Sequence, residues 1–396
     1  MSRKSRFRFF FFIMSVFCLG ANFAHPVTPA LIKNLGLHDY MFGVAFASMM
    51  ATNFLFSPFW GKLNDMVETR YVILAGCIGY GLSQMGFAMA KTEPLIVLAR
   101  LGAGVFAGAI FVSFLTYIVS ESEDHERSGY LTINATVQSV FSSFGYLIGG
   151  VLGEISIYLV FVIQTAVLII SGIFFFLVCR EKRKKIRQQP VRFRQIMLQS
   201  NPFHAFFECR SFMTVSFAGI FAICIFMYIG QTTFDQTFNY FLKAELNLGS
   251  SYNGMIKAVV GIVSFISNVT LCFAIIRRRQ SQKATILLSG ICVFLCGSLV
   301  FLNQIGALIF CGILLYSANS VSIPLIQDII TEKAERKQEN LIMGFYNGAQ
   351  SLGSIAGAMI AGGIYSWNSH GPFALGALFF GLAFLMAFRF LKIKRF

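Results

Sequence analysis

Few ionisable side chains lie inside the long apolar stretches of this chain: His25, Arg100, Asp235 and Lys257. A charged group inside a bilayer is costly, so one that is present usually binds a proton, an ion or a polar part of a substrate. Gln231, Asp235 and Asn239 recur every four residues, which places them on one face of a helix. This pattern predicts that the face lines a cavity in which Asp235 handles a proton or a cation. The alternative is that Asp235 lies at the mouth of its helix, in ordinary water.

His25 is a second group that could exchange protons. Aligning Leu19-Gly20 with Ile229-Gly230, at an offset of 210 residues, also aligns His25 with Asp235. An apolar environment disfavours the charged forms of imidazole and carboxyl groups, which brings both closer to proton exchange. A histidine bonded to a neighbouring helix explains the pattern equally well, and both interpretations remain open. Lys257, near the start of its stretch, is predicted to extend to the membrane surface.

Three amide side chains are further candidates for a proton or substrate pathway: Asn22, Gln138 and Gln350. Each could hydrogen-bond a ligand or tie two helices together, and the sequence does not distinguish these roles. No HExxH, GxSxG or Walker A pattern occurs, so an enzyme is not expected. The nine cysteines form no disulfide framework or zinc spacing, and no cofactor or metal is predicted.

The elements that must position these side chains are twelve apolar stretches, most of them close to the ~20 residues that cross a bilayer. They run approximately over residues 9–32, 41–60, 71–90, 94–118, 130–152, 155–179, 211–242, 253–276, 284–302, 305–329, 341–364 and 371–388. A composition of 56% hydrophobic and 12% charged residues would leave a water-soluble fold with far too much apolar surface. We therefore predict an all-α integral membrane protein.

The basic residues predict how the stretches are oriented. Of the 32 Lys and Arg, 27 fall in segments that alternation places on one side, 3 on the opposite side and 2 within stretches. By the positive-inside tendency, both termini are cytoplasmic, in a multi-pass protein of the cell (plasma) membrane. The net charge of +15 then indicates contact with anionic lipid headgroups at the cytoplasmic loops, and nucleic-acid binding is not expected.

An internal repeat divides the chain into two halves. Residues 138–150 and 350–362 share six identities in thirteen positions at an offset of 212. We predict an N-terminal six-helix bundle over residues 1–179, a basic cytoplasmic linker over 180–210 and a C-terminal six-helix bundle over 211–396. Repeats of this kind place a transport site between two halves near the bilayer midplane.

The segment from Leu19 to Pro29, LGANFAHPVTP, carries the most specific motif of the chain. It resembles the first-helix signature of the 12-helix drug:proton antiporter group of the major facilitator superfamily. Pro26 and Pro29 remove two amide donors and should bend helix 1, which requires that the released carbonyls face other helices or a wet cavity.

Three further segments resemble motifs of the same superfamily. In GKLNDMVETRY, Gly61, Asp65 and Arg70 match the loop between helices 2 and 3, whereas Met66, Glu68 and Thr69 depart from it. Arg100 and Gly104 match an intramembrane arginine followed by glycine, and Gly145, Gly149 and Gly150 match part of the antiporter signature in helix 5. In that signature, Phe141 replaces a glycine and Tyr146 replaces a proline, so the expectation of efflux rests on a partial match.

The resemblance implies the major facilitator fold, with 12 transmembrane helices in two pseudo-symmetric six-helix bundles. It also implies proton-coupled, multidrug-type efflux of small hydrophobic or amphipathic compounds by alternating access. Asp235, Arg100, His25, Asn22, Gln138, Gln231 and Gln350 would line the proton and substrate pathway, and Asp65 with Arg70 would control the inner gate. The alternatives are an uptake symporter or facilitator for a small organic nutrient, and a membrane sensor that transports nothing.

Overall fold

The computed structural model describes residues 3–180, 200–203, 207, 213–333 and 339–391, and every regular element within these ranges is a helix. In the first half these are α1 (Arg3–Ala21), α2 (Thr28–Asn34), α3 (Met41–Met66), α4 (Thr69–Met89), α5 (Glu93–Glu121), α6 (Asp124–Ile155) and α7 (Ile157–Val178). The second half contains α8 (Val215–Ala244), α9 (Ser250–Ser267), a π-helical turn (Asn268–Cys272), α10 (Phe273–Arg277), α11 (Ser281–Ser298), α12 (Ile305–Lys333), α13 (Glu339–Tyr365) and α14 (Gly371–Phe390). Most of the predicted linker, 180–210, lies outside the described residues.

Ten helical segments within the described residues are long and apolar enough to cross a membrane, and Ser250–Arg277 counts as one of them. They account for ten of the twelve predicted stretches. The eleventh stretch forms α13, a helix of 27 residues whose many Gly, Ser, Asn and Gln residues lower its hydropathy. The count of twelve crossings is therefore not confirmed and stays a prediction.

The first predicted stretch is not one continuous helix. α1 ends at Ala21, residues 22–27 form turns, and α2 starts at Thr28 with Pro29 in its first turn. A proline has no amide donor and its fixed φ suits the start of a helix, so the helix restarts at the second proline. The prediction of a distortion at Pro26 and Pro29 matches this break, although a bend had been expected rather than an interruption.

The chain folds into two compact units. Unit 1 comprises Met1–Leu37, Ser48–Pro202 and Gly249–Ala258, and unit 2 comprises His38–Ala47, Phe203–Leu248 and Val259–Phe396. The start of α3 thus belongs to unit 2 and the start of α9 to unit 1. The predicted boundaries at 179 and 211 remain predictions.

Aromatic side chains fill the interior of each unit. In unit 1, Phe10, Phe17, Phe114 and Phe175 are completely buried and contact one another at ring-centroid distances of 4.9 to 6.5 Å. In unit 2, Phe234 and Phe238 are buried and lie 5.4 Å apart. Packing of rigid rings fixes the positions of the helices that carry the polar residues described next.

Candidate functional site

The predicted polar face of α8 is present in unit 2. Gln231, Asp235 and Asn239 are partly exposed, whereas most residues of the central part of α8 are buried. The hydroxyl of Tyr316 on α12 donates a hydrogen bond to Asp235 Oδ1 at 2.7 Å, and Gln236 Nε2 donates to Asp235 Oδ2 at 3.2 Å. Asp235 is thus a carboxylate with both oxygens hydrogen-bonded on a face that remains accessible, an arrangement able to bind a proton or a cation.

Aromatic rings hold Tyr316 against α8. Its ring centroid lies 4.7 Å from that of Phe234 and 5.9 Å from that of Phe238. Gly312, one turn before Tyr316 on α12, makes this possible, since a Cβ there would lie 2.6 Å from the Phe238 ring. Tyr316 was not predicted from the sequence, because 81 residues separate it from Asp235 and no spacing connects the two.

In unit 1 the polar atoms of the helix-1 break are bound by side chains of other helices. Buried Gln164 on α7 donates from Nε2 to the carbonyls of Gly20 and Ala21, at 3.0 Å each. Asn22 Nδ2 donates to the Cys18 carbonyl at 2.8 Å and to Ser142 Oγ on α6 at 2.9 Å. Of the two roles left open for Asn22, this geometry favours a tie between helices.

The glycines of α6 allow its backbone to approach the break. A Cβ at Gly145 would lie 2.3 Å from the Leu19 carbonyl oxygen, and one at Gly149 would lie 2.1 Å from the Phe23 carbonyl oxygen. Gly150 faces the start of α9, with a built Cβ 2.5 Å from the Ser250 carbonyl oxygen. The three motif glycines are therefore needed for close contact between backbones.

Tyr146 stands at the position where the antiporter signature has proline, and it contacts two of the predicted ionisable residues. The His25 ring stacks on it at 5.2 Å with an interplanar angle of 10°. Lys257 Nζ lies 5.5 Å from the centroid of the same ring. Lys257 is partly exposed and its ammonium group approaches an aromatic ring within unit 1, and the expectation that it extends to the membrane surface stays a prediction.

Arg100 is buried beside the same break, with 4% of its surface exposed. Its Nη2 donates to Thr28 Oγ1 and its Nη1 to Gln84 Oε1, both at 3.3 Å, and its guanidinium lies 3.7 Å from the centroid of the Phe87 ring. Gln84 Nε2 donates in turn to the Tyr80 hydroxyl at 2.9 Å. Arg100 therefore anchors the first residue of α2 to α4.

Gly104 follows Arg100 by one turn and faces α3. A Cβ at this position would lie 2.0 Å from the Met49 carbonyl oxygen. Thr52 Oγ1 donates to the Leu101 carbonyl at 2.7 Å across the same contact. Arg100 thus directs its charge toward the start of α2, and Gly104, one turn later, allows α5 to approach α3 closely.

In the loop between α3 and α4, Arg70 pairs with a residue that departs from the family motif. Its Nε lies 2.9 Å from Glu68 Oε2, and its guanidinium lies 4.9 Å from the Tyr71 and Phe176 ring centroids. The Asp65 side chain lies outside the described part of the chain. Gly61 makes no tight contact: a Cβ there would lie 3.9 Å from Val112 Cγ1.

The remaining predicted amides are partly exposed. Gln138 Nε2 donates to Asn134 Oδ1 at 3.2 Å on its own helix, and Gln350 lies on α13 of unit 2. Asn22, His25 and Arg100 therefore surround the break in unit 1. Gln231 and Asp235 share a face of α8. Within the described residues, no group of three or more His, Cys, Asp or Glu side chains is arranged to bind a metal ion.

The chain matches one protein family and is similar to known proteins. The model of the Major Facilitator Superfamily matches residues 10–334 and 283–396. Multidrug resistance protein 1 of Bacillus subtilis (strain 168) is 23% identical over 380 residues, which cover 94% of this chain and 93% of that protein. Quinolone resistance protein NorA of Staphylococcus aureus (strain MRSA252) is 30% identical over 156 residues, or 39% of each chain.

Solved structures share the fold. A bacterial homologue of the human lysosomal transporter Spinster, in its inward-facing and unoccupied conformation, superposes with a TM-score of 0.75 over 99% of each chain at 14% identity. The human organic anion transporter MFSD10 superposes with a TM-score of 0.68 over 98% of this chain and 100% of that chain, also at 14% identity. At these identities the likeness concerns the fold alone.

Proposed function

This chain belongs to the Major Facilitator Superfamily and is a multi-pass membrane transporter rather than an enzyme, and from this premise we propose that it exports small hydrophobic or amphipathic compounds in exchange for protons. The observation that carries the proposal is the accessible carboxylate of Asp235, held by Tyr316 on a polar face of α8. Two relatives named for multidrug and quinolone resistance support efflux as the direction and drug-like compounds as the cargo.

In this proposal Asp235 binds either a proton or the cationic part of a cargo molecule. A proton that enters from outside neutralises the carboxylate, which removes the attraction for a cation and releases the cargo outward. The hydroxyl of Tyr316 stabilises the charged form, because it donates a hydrogen bond to Asp235 Oδ1 at 2.7 Å. The surrounding Phe side chains supply apolar contacts that tolerate cargo of different shapes.

Unit 1 contributes the break in helix 1 and the groups around it. His25 and Gln138 belong to the proposed pathway together with Gln231 and Gln350 of unit 2. Arg100 modulates the proton affinity of the pathway through its charge, which is buried. Asp65 and Arg70 govern the inner gate during alternating access.

The proposal includes twelve crossings arranged as two six-helix bundles, with both termini on the cytoplasmic side of the plasma membrane. The stretch over 9–32 would cross as a broken helix and α13 as a weakly apolar one. Carbonyls bound by Gln164 support a crossing that contains a break, because unpaired backbone groups are excluded from hydrocarbon.

Inverted membrane vesicles test this function. With an acidic interior, they should accumulate ethidium, and addition of ethidium should cause proton release from the vesicles. Asp235→Asn should lose gradient-driven accumulation, because an amide cannot exchange a proton, whereas the exposed Glu332→Gln should behave like the wild type. Full gradient-driven antiport by Asp235→Asn would remove the carboxylate from the mechanism.

An uptake symporter or facilitator for a small organic nutrient is the second candidate. In the helix-5 antiporter signature, Tyr146 replaces the proline. Because that signature is the part of the resemblance that implies efflux, its incomplete match favours the uptake alternative. A panel of nutrients and drug-like compounds, measured with and without a pH gradient, separates the two. Accumulation in whole cells driven by an inward proton gradient would select uptake.

A further inference from the structure

Two loops at equivalent positions of the two halves carry different charges. The segment 61–71 contains two bases, Lys62 and Arg70, and two acids, Asp65 and Glu68. The equivalent segment 272–283 contains four bases and no acid: Arg277, Arg278, Arg279 and Lys283. Each loop leads into a helix that borders an apolar groove, and the two grooves can therefore be compared directly.

In the first half the groove has a neutralised rim. It has a volume of about 390 Å³ and lies between α3 and α4, where Trp60, Leu63 and Tyr71 are among its lining residues. Glu68 lies at its rim and forms an ion pair with Arg70, whose Nε lies 2.9 Å from Glu68 Oε2. A phosphate group would meet a carboxylate there rather than an excess of positive charge.

In the second half the groove has a basic rim. Lys283, in the first turn of α11, lines the groove and is exposed. Arg277 ends α10, Arg278 and Arg279 follow it in the turn that leads to α11, and all three are exposed. Asp328 contacts this end of α11, and its Oδ2 accepts a hydrogen bond from Ser281 Oγ at 2.6 Å. The segment 272–283 itself holds four bases and no acid, and such a surface attracts anions.

An apolar groove of about 660 Å³ runs from Lys283 along α11 toward Leu295, against Phe384 of α14. Lys283, Leu287, Gly290, Ile291 and Phe294 recur at helical spacing and so line one face. Leu287 and Phe294 are 65% and 73% exposed. Because the rise is about 1.5 Å per residue, the groove is about 18 Å long, close to one leaflet of a hydrocarbon core of about 30 Å.

We propose that this groove of unit 2 binds one anionic phospholipid, with its headgroup at Lys283 and Arg277–Arg279 and an acyl chain along α11. Charge complementarity selects the headgroup, and an exposed apolar groove one leaflet long selects a lipid over a soluble phosphate. Gly290 shapes the groove, since a Cβ there would come within 3.3 Å of Phe384 and a larger side chain would fill the space. The site is independent of the Asp235 carboxylate and goes beyond the proposed transport function.

Native mass spectrometry of the full-length protein in detergent tests the site. The protein is titrated with phosphatidylglycerol and with phosphatidylcholine of the same acyl chains, and bound lipid is counted. The wild type should retain one phosphatidylglycerol in preference to phosphatidylcholine. Lys283→Gln should weaken phosphatidylglycerol retention by about fivefold, and adding Arg277→Gln should weaken it by about fivefold again. Leu287→Ser should weaken retention of both lipids, because it removes an apolar contact.

Lys62→Gln is the matched control, since it removes one base from the equivalent loop of the first half and should leave retention unchanged. A thermal unfolding measurement on each variant checks folding, and Lys283, Arg277 and Leu287 are exposed, so their replacement should leave unfolding unchanged. Equal retention of the two lipids by the wild type, or unchanged retention in Lys283→Gln, would overturn the proposal. Displacement of the lipid by glycerol 3-phosphate would overturn it too, because the headgroup alone would then suffice. The measurement needs neither gradient nor cargo, so its failure is distinct from failure of the exporter proposal.

Discussion

The first and seventh stretches occupy equivalent places in the predicted repeat, yet the chain runs through them differently. Residues 22–27 interrupt the first stretch, whereas α8 continues for 30 residues. At the offset of 210, Pro26 and Pro29 correspond to Gln236 and Asn239. Proline cannot donate a backbone hydrogen bond, so the two prolines explain the break, and their absence lets α8 remain continuous.

The two segments share one kind of contact. Gly145 of α6 packs against the Leu19 carbonyl oxygen, and Gly357 of α13 packs against the Ile229 carbonyl oxygen, with built Cβ distances of 2.3 and 2.6 Å. The two glycines are equivalent at an offset of 212, and the two carbonyls at an offset of 210. Close backbone packing is therefore common to the two halves, whether or not the helix is broken.

The segments differ in what their polar groups do. In unit 1, hydrogen bonds go to backbone carbonyls at the break, such as those that Gln164 donates to Gly20 and Ala21. In unit 2, the backbone bonds stay within α8, and a side-chain donor, Tyr316, reaches the carboxylate of Asp235. The break thus uses polar side chains for structure, whereas the polar face of α8 carries a carboxylate that is partly exposed.

The largest expected effect is at the shared glycine contact. Gly145→Leu should destabilise the protein by about 3 kcal/mol, because backbone atoms of helix 1 cannot move away as a flexible side chain could. Unfolding can be followed with a thiol-reactive dye, since the eight cysteines of the described residues are free and buried. Gly363→Leu on α13 is the control, because nothing lies within 4 Å of a Cβ built there. Equal unfolding temperatures for both variants would contradict the assignment.

The next effect concerns the break alone. Gln164→Leu should cost about 2 kcal/mol, because it leaves the buried Gly20 and Ala21 carbonyls without the donor that they share. At the offset of 212, the position equivalent to Gln164 in the second half is Gly376. Glycine has no side-chain donor, so the continuous α8 receives no such hydrogen bond from this position. If Gln164→Leu unfolds at the wild-type temperature, the break does not depend on this side chain.

Tyr316→Phe should affect transport rather than folding. The variant removes the hydroxyl at 2.7 Å from Asp235 and keeps the ring that packs on Phe234. A hydrogen bond to a charged group contributes about 1.5 to 3 kcal/mol, here to the state in which Asp235 is charged, so the KM for a cationic substrate, which needs that charge, should rise about tenfold or more. Tyr228→Phe is the matched control, because its hydroxyl faces Tyr346 at 3.4 Å instead of a carboxylate. Equal KM values for the two variants would separate Tyr316 from the binding site.

The sequence predicted what lies on one helix and missed what joins distant helices. Periodicity alone found the polar face around Asp235, and two prolines indicated the distortion after Ala21, because both signals are local. Tyr316, Tyr146 and Gln164 were missed, since each acts on a residue more than 80 positions away. The motif glycines indicated close approach, but a glycine does not specify the backbone that it faces. The approach of Lys257 to the Tyr146 ring was missed for the same reason, because the ring belongs to a distant helix.

The smallest effect is expected at the two loops, where it sharpens the comparison of their charges. Glu68→Gln removes the partner of Arg70 in a partly exposed ion pair, so the unfolding free energy should fall by less than about 1 kcal/mol. The same substitution raises the charge of the 61–71 segment by one and leaves the 272–283 segment unchanged. The first-half groove, beside Glu68 and Arg70, should then gain a small preference for phosphatidylglycerol over phosphatidylcholine in the lipid titration. The Glu68→Gln variant could show no such preference at the first-half groove while Lys283→Gln still loses phosphatidylglycerol. Charge at the rim would then not be enough to make a lipid site, and the length of the groove along α11 would be required as well.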